Sequence, residues 1–134
     1  MSVTPDDFLA EAKALSSRTD EMGIRLTINR AYYGAFHLAK SAVHFMPGYR
    51  PSNRDEPSHQ ELLNWLAVGK GVVFPGCQQA KQIHEALTQG KKLRSKADYM
   101  LSDTLQPQQA ATVVFNAQKV QQLIPELIKR RQSN

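Results

Sequence analysis

Arg30 and His37 lie seven positions apart, and at about 100° per residue a helix turns them to within about 20° of each other. An imidazole titrating near 6.5 can take a proton from a hydroxyl or give one to a leaving oxygen. An arginine fork meets a phosphate and the charge that grows on it in the transition state. Such a pair could act at a phosphate ester without a metal. A rise of 1.5 Å per residue leaves their α-carbons about 10 Å apart along the axis. The two side chains therefore act on opposite ends of a phosphodiester or together with residues of a second subunit.

Extending the wheel from Thr27 to Phe45 puts Ile28, Ala31, Tyr32, Ala35, Phe36, Leu38, Ala39, Ala42 and Val43 on one arc, a core face. The other arc holds Thr27, Asn29, Arg30, Tyr33, Gly34, His37, Lys40, Ser41 and His44. Gly34 there leaves room for another backbone or a phosphate. Tyr33 can stack on a base or hydrogen-bond a phosphate, or its hydroxyl can be tied to Asp98; Tyr32 reads as core. Arg30 has an equally simple structural reading, as the partner of a carboxylate such as Asp98, with His37 a satisfied interface histidine. Farther along, Lys91, Lys92, Arg94 and Lys96 form a basic stripe, and Arg94 can pair with Asp98 four residues on, at the surface or over a ligand.

Arg30-Ala-Tyr-Tyr-Gly-Ala-Phe-His37 resembles the R-x-Y-Y-x-x-F-H signature of HEPN-domain proteins, and Leu93-Arg-Ser-Lys-Ala-Asp-Tyr99 resembles the L-R-x-x-A-D-Y signature of the same branch. Ser58-His59, opening a helix, falls between them in the same order, so the resemblance spans nearly the whole chain. It implies an all-α, HEPN-like antiparallel bundle and an R-x(4 to 6)-H ribonuclease pattern met by Arg30 and His37. It also implies a homodimer that brings two copies of the motif into one cleft, and as partner a nucleotidyltransferase-type antitoxin. On this reading Arg30 and His37 are catalytic, while Tyr33, Lys40, Arg94, Asp98 and Tyr99 line the RNA or nucleotide groove. A non-catalytic module gripping a nucleotide or a partner protein through the same face is the alternative, and a plain dimer seam a third.

The chain has 134 residues, 41% apolar and 22% charged, which suits one domain with a modest core. Its formal charge of +5 and pI near 9.5 suit a phosphate-bearing partner. Cys77 is the only cysteine, so no internal disulfide forms and a Cys/His zinc site has too few thiols. His44, His59 and His84 lack metal-ligand spacing, and no cofactor is expected. With no signal peptide at the acidic N-terminus and no run of ~20 apolar residues, the expectation is a soluble, cytoplasmic protein away from membranes.

Four principal helices and one short one must position these groups. Thr4-Pro5-Asp6-Asp7 caps a first helix of about three turns that ends near Ser16-Ser17. Asp20 or Thr19 caps the second, which reaches about Phe45; Gly23 argues for a start a little later. Residues 47 to 57 read as a mobile loop carrying Arg50 and Arg54. Ser58-His59-Gln60-Glu61 is a capping box for a short helix closed by Gly69 and Gly71, and 71 to 76 an apolar loop packing on the bundle. The fourth helix runs from Gln78 to about Leu101, with Gly90 on its apolar stripe, where a close neighbour would explain it. A last helix starts near Pro107; Pro125 should kink or end it, and the tail from Lys129 should fray.

Overall fold

The computed structural model describes residues 2–47, 49, 58–67 and 73–132, and among them five α-helices and no strand. These are α1 (Pro5–Leu15), α2 (Glu21–Lys40), α3 (His59–Leu66), α4 (Cys77–Tyr99) and α5 (Pro107–Gln132), with a 3-10 turn at Val43–Phe45. Most of the loop at 47 to 57, residues 48 and 50–57 with Arg50 and Arg54, and the closure at Gly69 and Gly71 lie outside the described residues. No helix is long and apolar enough to cross a membrane among those described.

The helices begin where side chains can satisfy their first amides. Thr4 and Asp7 form a reciprocal capping box at α1, and Ser58 Oγ accepts the Glu61 amide at α3, 3.1 Å away. Asp20 caps α2 by accepting from the Gly23 amide at 3.2 Å. Its hydrogen bond to Arg18 holds its carboxyl down at about 2. Gly23 does not delay the helix as expected, because its missing side chain is what admits Arg18: an added Cβ would lie 2.5 Å from Arg18 Cβ. Gly76 starts α4 from the left-handed region, φ 94°, where a Cβ would also meet Leu127 Cδ1 at 2.7 Å.

Two helix ends differ from the sequence expectation. α2 stops at Lys40, short of Phe45, because the backbone tightens there: the Ser41 and Ala42 amides bond three residues back, to the Leu38 and Ala39 carbonyls, at 3.1 and 3.0 Å. α5 passes through Pro125 and stays helical to Gln132. Its last turn does not fray, since Arg131 Nε donates to the Phe45 carbonyl at 2.6 Å and its guanidinium lies 5.1 Å over the Phe74 ring.

α2 is the central element, packed against α1, α4 and α5. α1 and α4 run antiparallel to it, as the pairings show: Phe8 meets His37 while Arg30 lies beside Glu11, and Arg25 reaches Ala97 while Tyr32 reaches Gly90. α5 runs parallel to it, since Leu105 before α5 meets Glu21 and Arg131 at its end meets Phe45. The core is one cluster of buried side chains, among them Ile28, Leu62, Leu66, Ile83, Leu87, Val113, Val120 and Leu127. The all-α bundle expected from the periodicity is what forms.

At Gly90 the Tyr32 ring of α2 packs close against α4. A Cβ there would lie 3.0 Å from Tyr32 Cδ1, and Tyr32 is buried and hydrogen-bonded, so its ring cannot retreat. Gly90→Val is expected to destabilise the protein by roughly 1–3 kcal/mol through overpacking, despite the better helix propensity of the new residue. A thermal melt unchanged by that substitution would contradict the close approach.

Candidate functional site

Along α2 the polar arc divides by what packs over it. Thr27 is buried and donates its hydroxyl to the Gly23 carbonyl at 2.8 Å. Gly34 is buried too, under α1, where an added Cβ would lie 3.1 Å from Leu9 and 3.2 Å from Phe8. Of the two occupants expected there, another backbone or a phosphate, it is α1 that takes the room. Between and beyond them Asn29, Arg30, Tyr33, His37 and Lys40 remain half-buried, one continuous edge of the helix.

The Arg30 end of this edge is a hydrogen-bonded chain. Arg30 Nη1 donates to Asn29 Oδ1 at 2.5 Å, and Asn29 Nδ2 donates to both Asp98 oxygens at 3.3 Å. Asp98 in turn faces Arg94 Nη1 at 3.7 Å. The direct Arg30–Asp98 pair anticipated from sequence is therefore relayed through Asn29. Arg30 borders a surface cavity of about 510 Å³ with Val3, Asp7, Phe8 and Glu11, so its other flank faces the carboxylates of α1.

Toward the C-terminus of α2 the edge becomes aromatic and basic. The Phe8 ring of α1 sits 5.5 Å from the His37 ring, and Lys40 Nζ is 3.4 Å from His37 Nδ1 and 5.5 Å from the centre of the Phe36 ring. Tyr33 lies in the middle, its ring 6.3 Å from His37 and 5.9 Å from His59.

Arg94 enters from α4, and it is not the surface residue its position in a basic stripe suggested: only 8% of it is exposed. Its guanidinium carbon lies 5.6 Å from the Tyr32 ring, 5.6 Å from Tyr33 and 5.8 Å from Tyr99, a cation held against aromatic faces. Among the described residues its Nε is buried with no hydrogen-bond partner, which costs free energy until an acceptor is supplied. Tyr99 is 74% exposed and covers the guanidinium from the solvent side.

His59 is the member that sequence reasoning passed over. It stacks on Phe36 at 4.0 Å between ring centres and 9° between planes, and its Nδ1 is 2.5 Å from Tyr32 Oη. Partial burial pushes its pKa below the ordinary histidine value, helped by the charges of Arg94, Lys91, His37 and Lys40. Burial likewise raises the Tyr32 hydroxyl far above its usual range, so that hydroxyl keeps its proton. Tyr32, assigned to the core, is both core and the anchor of this imidazole. The signal in the sequence was Ser58-His59 standing between the two signatures, but no spacing tells that position 59 meets positions 32 and 36.

All seven expected site residues thus fall in one region on α2 and α4, with Asp98 engaged internally by Asn29 and Arg94. Together with His59 they offer an anion a positive field, ring faces for a base, and two imidazoles. Among the described residues no three His, Cys, Asp or Glu side chains gather in a way that could hold a metal ion. No protein-family model matches the chain, and no curated protein matches it.

Proposed function

We propose that this protein is a HEPN-type, RNA-acting protein, a metal-independent endoribonuclease that works as a homodimer. The observation that carries the reading is the convergence of His37, His59 and Arg94 around the Tyr33 ring, with Lys40 beside His37. A polyanion gains from the field of Arg94 and Lys40 and an unpaired base gains from the ring. The signature resemblance at Arg30–His37 and Leu93–Tyr99 supports the same assignment, and through it the two-fold dimer.

In this reading Arg94 and Lys40 hold phosphates, Tyr33 and Tyr99 stack on bases, and Arg30 steadies the strand beyond Asn29. His37 works at the scissile phosphodiester. The 2′-oxygen attacks phosphorus, the bond to the 5′-oxygen breaks, and a 2′,3′-cyclic phosphate and a 5′-hydroxyl result. One proton leaves the 2′-hydroxyl and one arrives at the 5′-oxygen, which is work for imidazoles.

Incubating the purified protein with transfer RNA or total RNA in EDTA tests this. Cleavage is expected to survive chelation and to fall by a factor of about 100 or more in His37→Ala. Intact RNA under those conditions, with a retained nucleotide that shifts the melting temperature, would favour a second reading: a binding module for a nucleotide or a partner such as a nucleotidyltransferase antitoxin. That reading draws on the way Arg30 is already engaged by Asn29 and flanked by Asp7 and Glu11.

A further inference from the structure

We propose that His59 is the base that takes the proton of the attacking 2′-hydroxyl, with His37 of the same chain as proton donor to the leaving oxygen. This rests on the ribonuclease reading and adds to it a second imidazole, from α3, and the source of both proton transfers in one subunit.

The distance argument favours His59 over Arg30 as the partner of His37. Arg30 and His37 are about 10 Å apart along one helix axis, and arginine does not give up its proton at neutral pH. His37 and His59 instead share the Phe36 ring, which lies 5.5 Å from the first and 4.0 Å from the second. The two imidazoles are no farther apart than those contacts laid end to end. In-line displacement puts the entering and leaving oxygens on opposite sides of phosphorus, so a base and an acid several ångström apart, with Tyr33 between them, suit it.

The hydrogen bonds are compatible with these roles. His59 makes its hydrogen bond through Nδ1, to Tyr32 Oη. In the proposed tautomer Nδ1–H donates to Tyr32 Oη, and Nε2 carries the lone pair. Stacking on Phe36 and the Tyr32 anchor fix the ring before substrate arrives, which is the preorganisation a base needs. His37 has the opposite arrangement. Lys40 can only donate, so its contact at 3.4 Å makes His37 Nδ1 the acceptor and leaves the proton on Nε2. The protons then balance: the 2′-hydroxyl proton goes to His59 Nε2, the His37 Nε2 proton goes to the 5′-oxygen, and Lys40 replaces it at His37 Nδ1.

The groups facing His59 are Tyr32, Tyr33, His37 and Lys40 on α2 and Lys91 and Arg94 on α4. Burial and these cations keep the imidazole neutral at pH 7, the state a base requires. The rate should therefore hold its plateau down to pH values below about 6.5, the ordinary histidine value, and decline only under it.

The test is cleavage of a labelled RNA in EDTA from pH 5 to 9, with binding measured separately on the same RNA carrying a 2′-deoxy residue at the cut site. His59→Gln is expected to lose about 100-fold or more in rate while its binding of the deoxy RNA changes little. Tyr32→Phe keeps the ring and removes the anchor; it should shift the acid limb of the pH profile, which a purely structural tyrosine would not do. An equimolar mixture of His37→Ala and His59→Gln should stay inactive, because each chain lacks one member of its own pair. Recovery in the mixture would place the pair across two chains and overturn the single-chain assignment. Wild-type cleavage that persists in His59→Gln would overturn the role of His59 alone, whereas a wild-type protein that cuts no RNA would overturn both this proposal and the ribonuclease reading.

Discussion

Arg25→Met is expected to destabilise the protein by about 3–5 kcal/mol, the range for removing one partner of a buried charged network. Arg25 is 7% exposed. Its Nη1 donates to the carbonyls of Lys96 and Ala97 at 3.1 and 2.9 Å, and its Nη2 to those of Met100 and Asp103 at 3.2 and 2.5 Å. Those carbonyls sit at and just past the end of α4, where a helix has no amides left to offer and where a cation also meets the negative end of the dipole. Glu21 completes the knot: Oε1 accepts from Arg25 Nε at 3.2 Å and from the Leu105 amide at 3.1 Å. Methionine fills the volume but supplies no donor, so the α4–α5 corner loses its cap. Urea denaturation at pH 7 measures the loss, with Arg25→Lys expected to fall between, since an ammonium keeps the charge without the fork. A change under about 1 kcal/mol would mean that water can replace the guanidinium there.

Arg94→Met tests the site rather than the scaffold, and two readouts should move together. Affinity for RNA is expected to fall by roughly 10-fold or more, as befits loss of a charged hydrogen-bond donor worth about 1.5–3 kcal/mol. His59 should also titrate higher. Burial still lowers its pKa, but Arg94 is the first of the cations that lower it further, and removing a like charge lets the imidazolium form more readily. The sign for stability follows. A histidine whose folded pKa lies below its unfolded one costs stability as pH falls from about 6.5 through the folded value. Arg94→Met should make that acid loss shallower. Histidine resonances followed by NMR from pH 4.5 to 8 give the titration directly. An unchanged His59 midpoint would remove Arg94 from its neighbourhood and with it the picture of one shared anion site.

The helices were legible in the sequence because their signals are local. Thr4, Asp20 and Ser58 satisfy amides three residues on, and the apolar stripes repeat every three or four positions, so each element declares itself within its own span. Gly90 was also readable as a point of close packing, although not that Tyr32 would be the neighbour. What the sequence left open has another cause. At Gly34 it allowed another backbone or a phosphate, and at Arg94 a solvated stripe or a ligand; α1 takes the first place and a ring of tyrosines surrounds the second. A helical wheel records direction around one axis and is silent on what stands opposite. Pro125 did not end its helix: a missing hydrogen bond on an exposed face does not stop a helix whose last turn is tied down by Arg131.

By itself, then, the sequence determined an all-helical chain with a basic, imidazole-bearing edge on its second helix, since periodicity, caps and charge act between residues a few positions apart. Only the tertiary structure decided that Arg25 closes the end of α4 and that His59 stands beside Phe36 and Tyr32. Those meetings join residues far apart in the chain, and they are set by the register of packed helices, which depends on how whole faces fit and not on any short spacing.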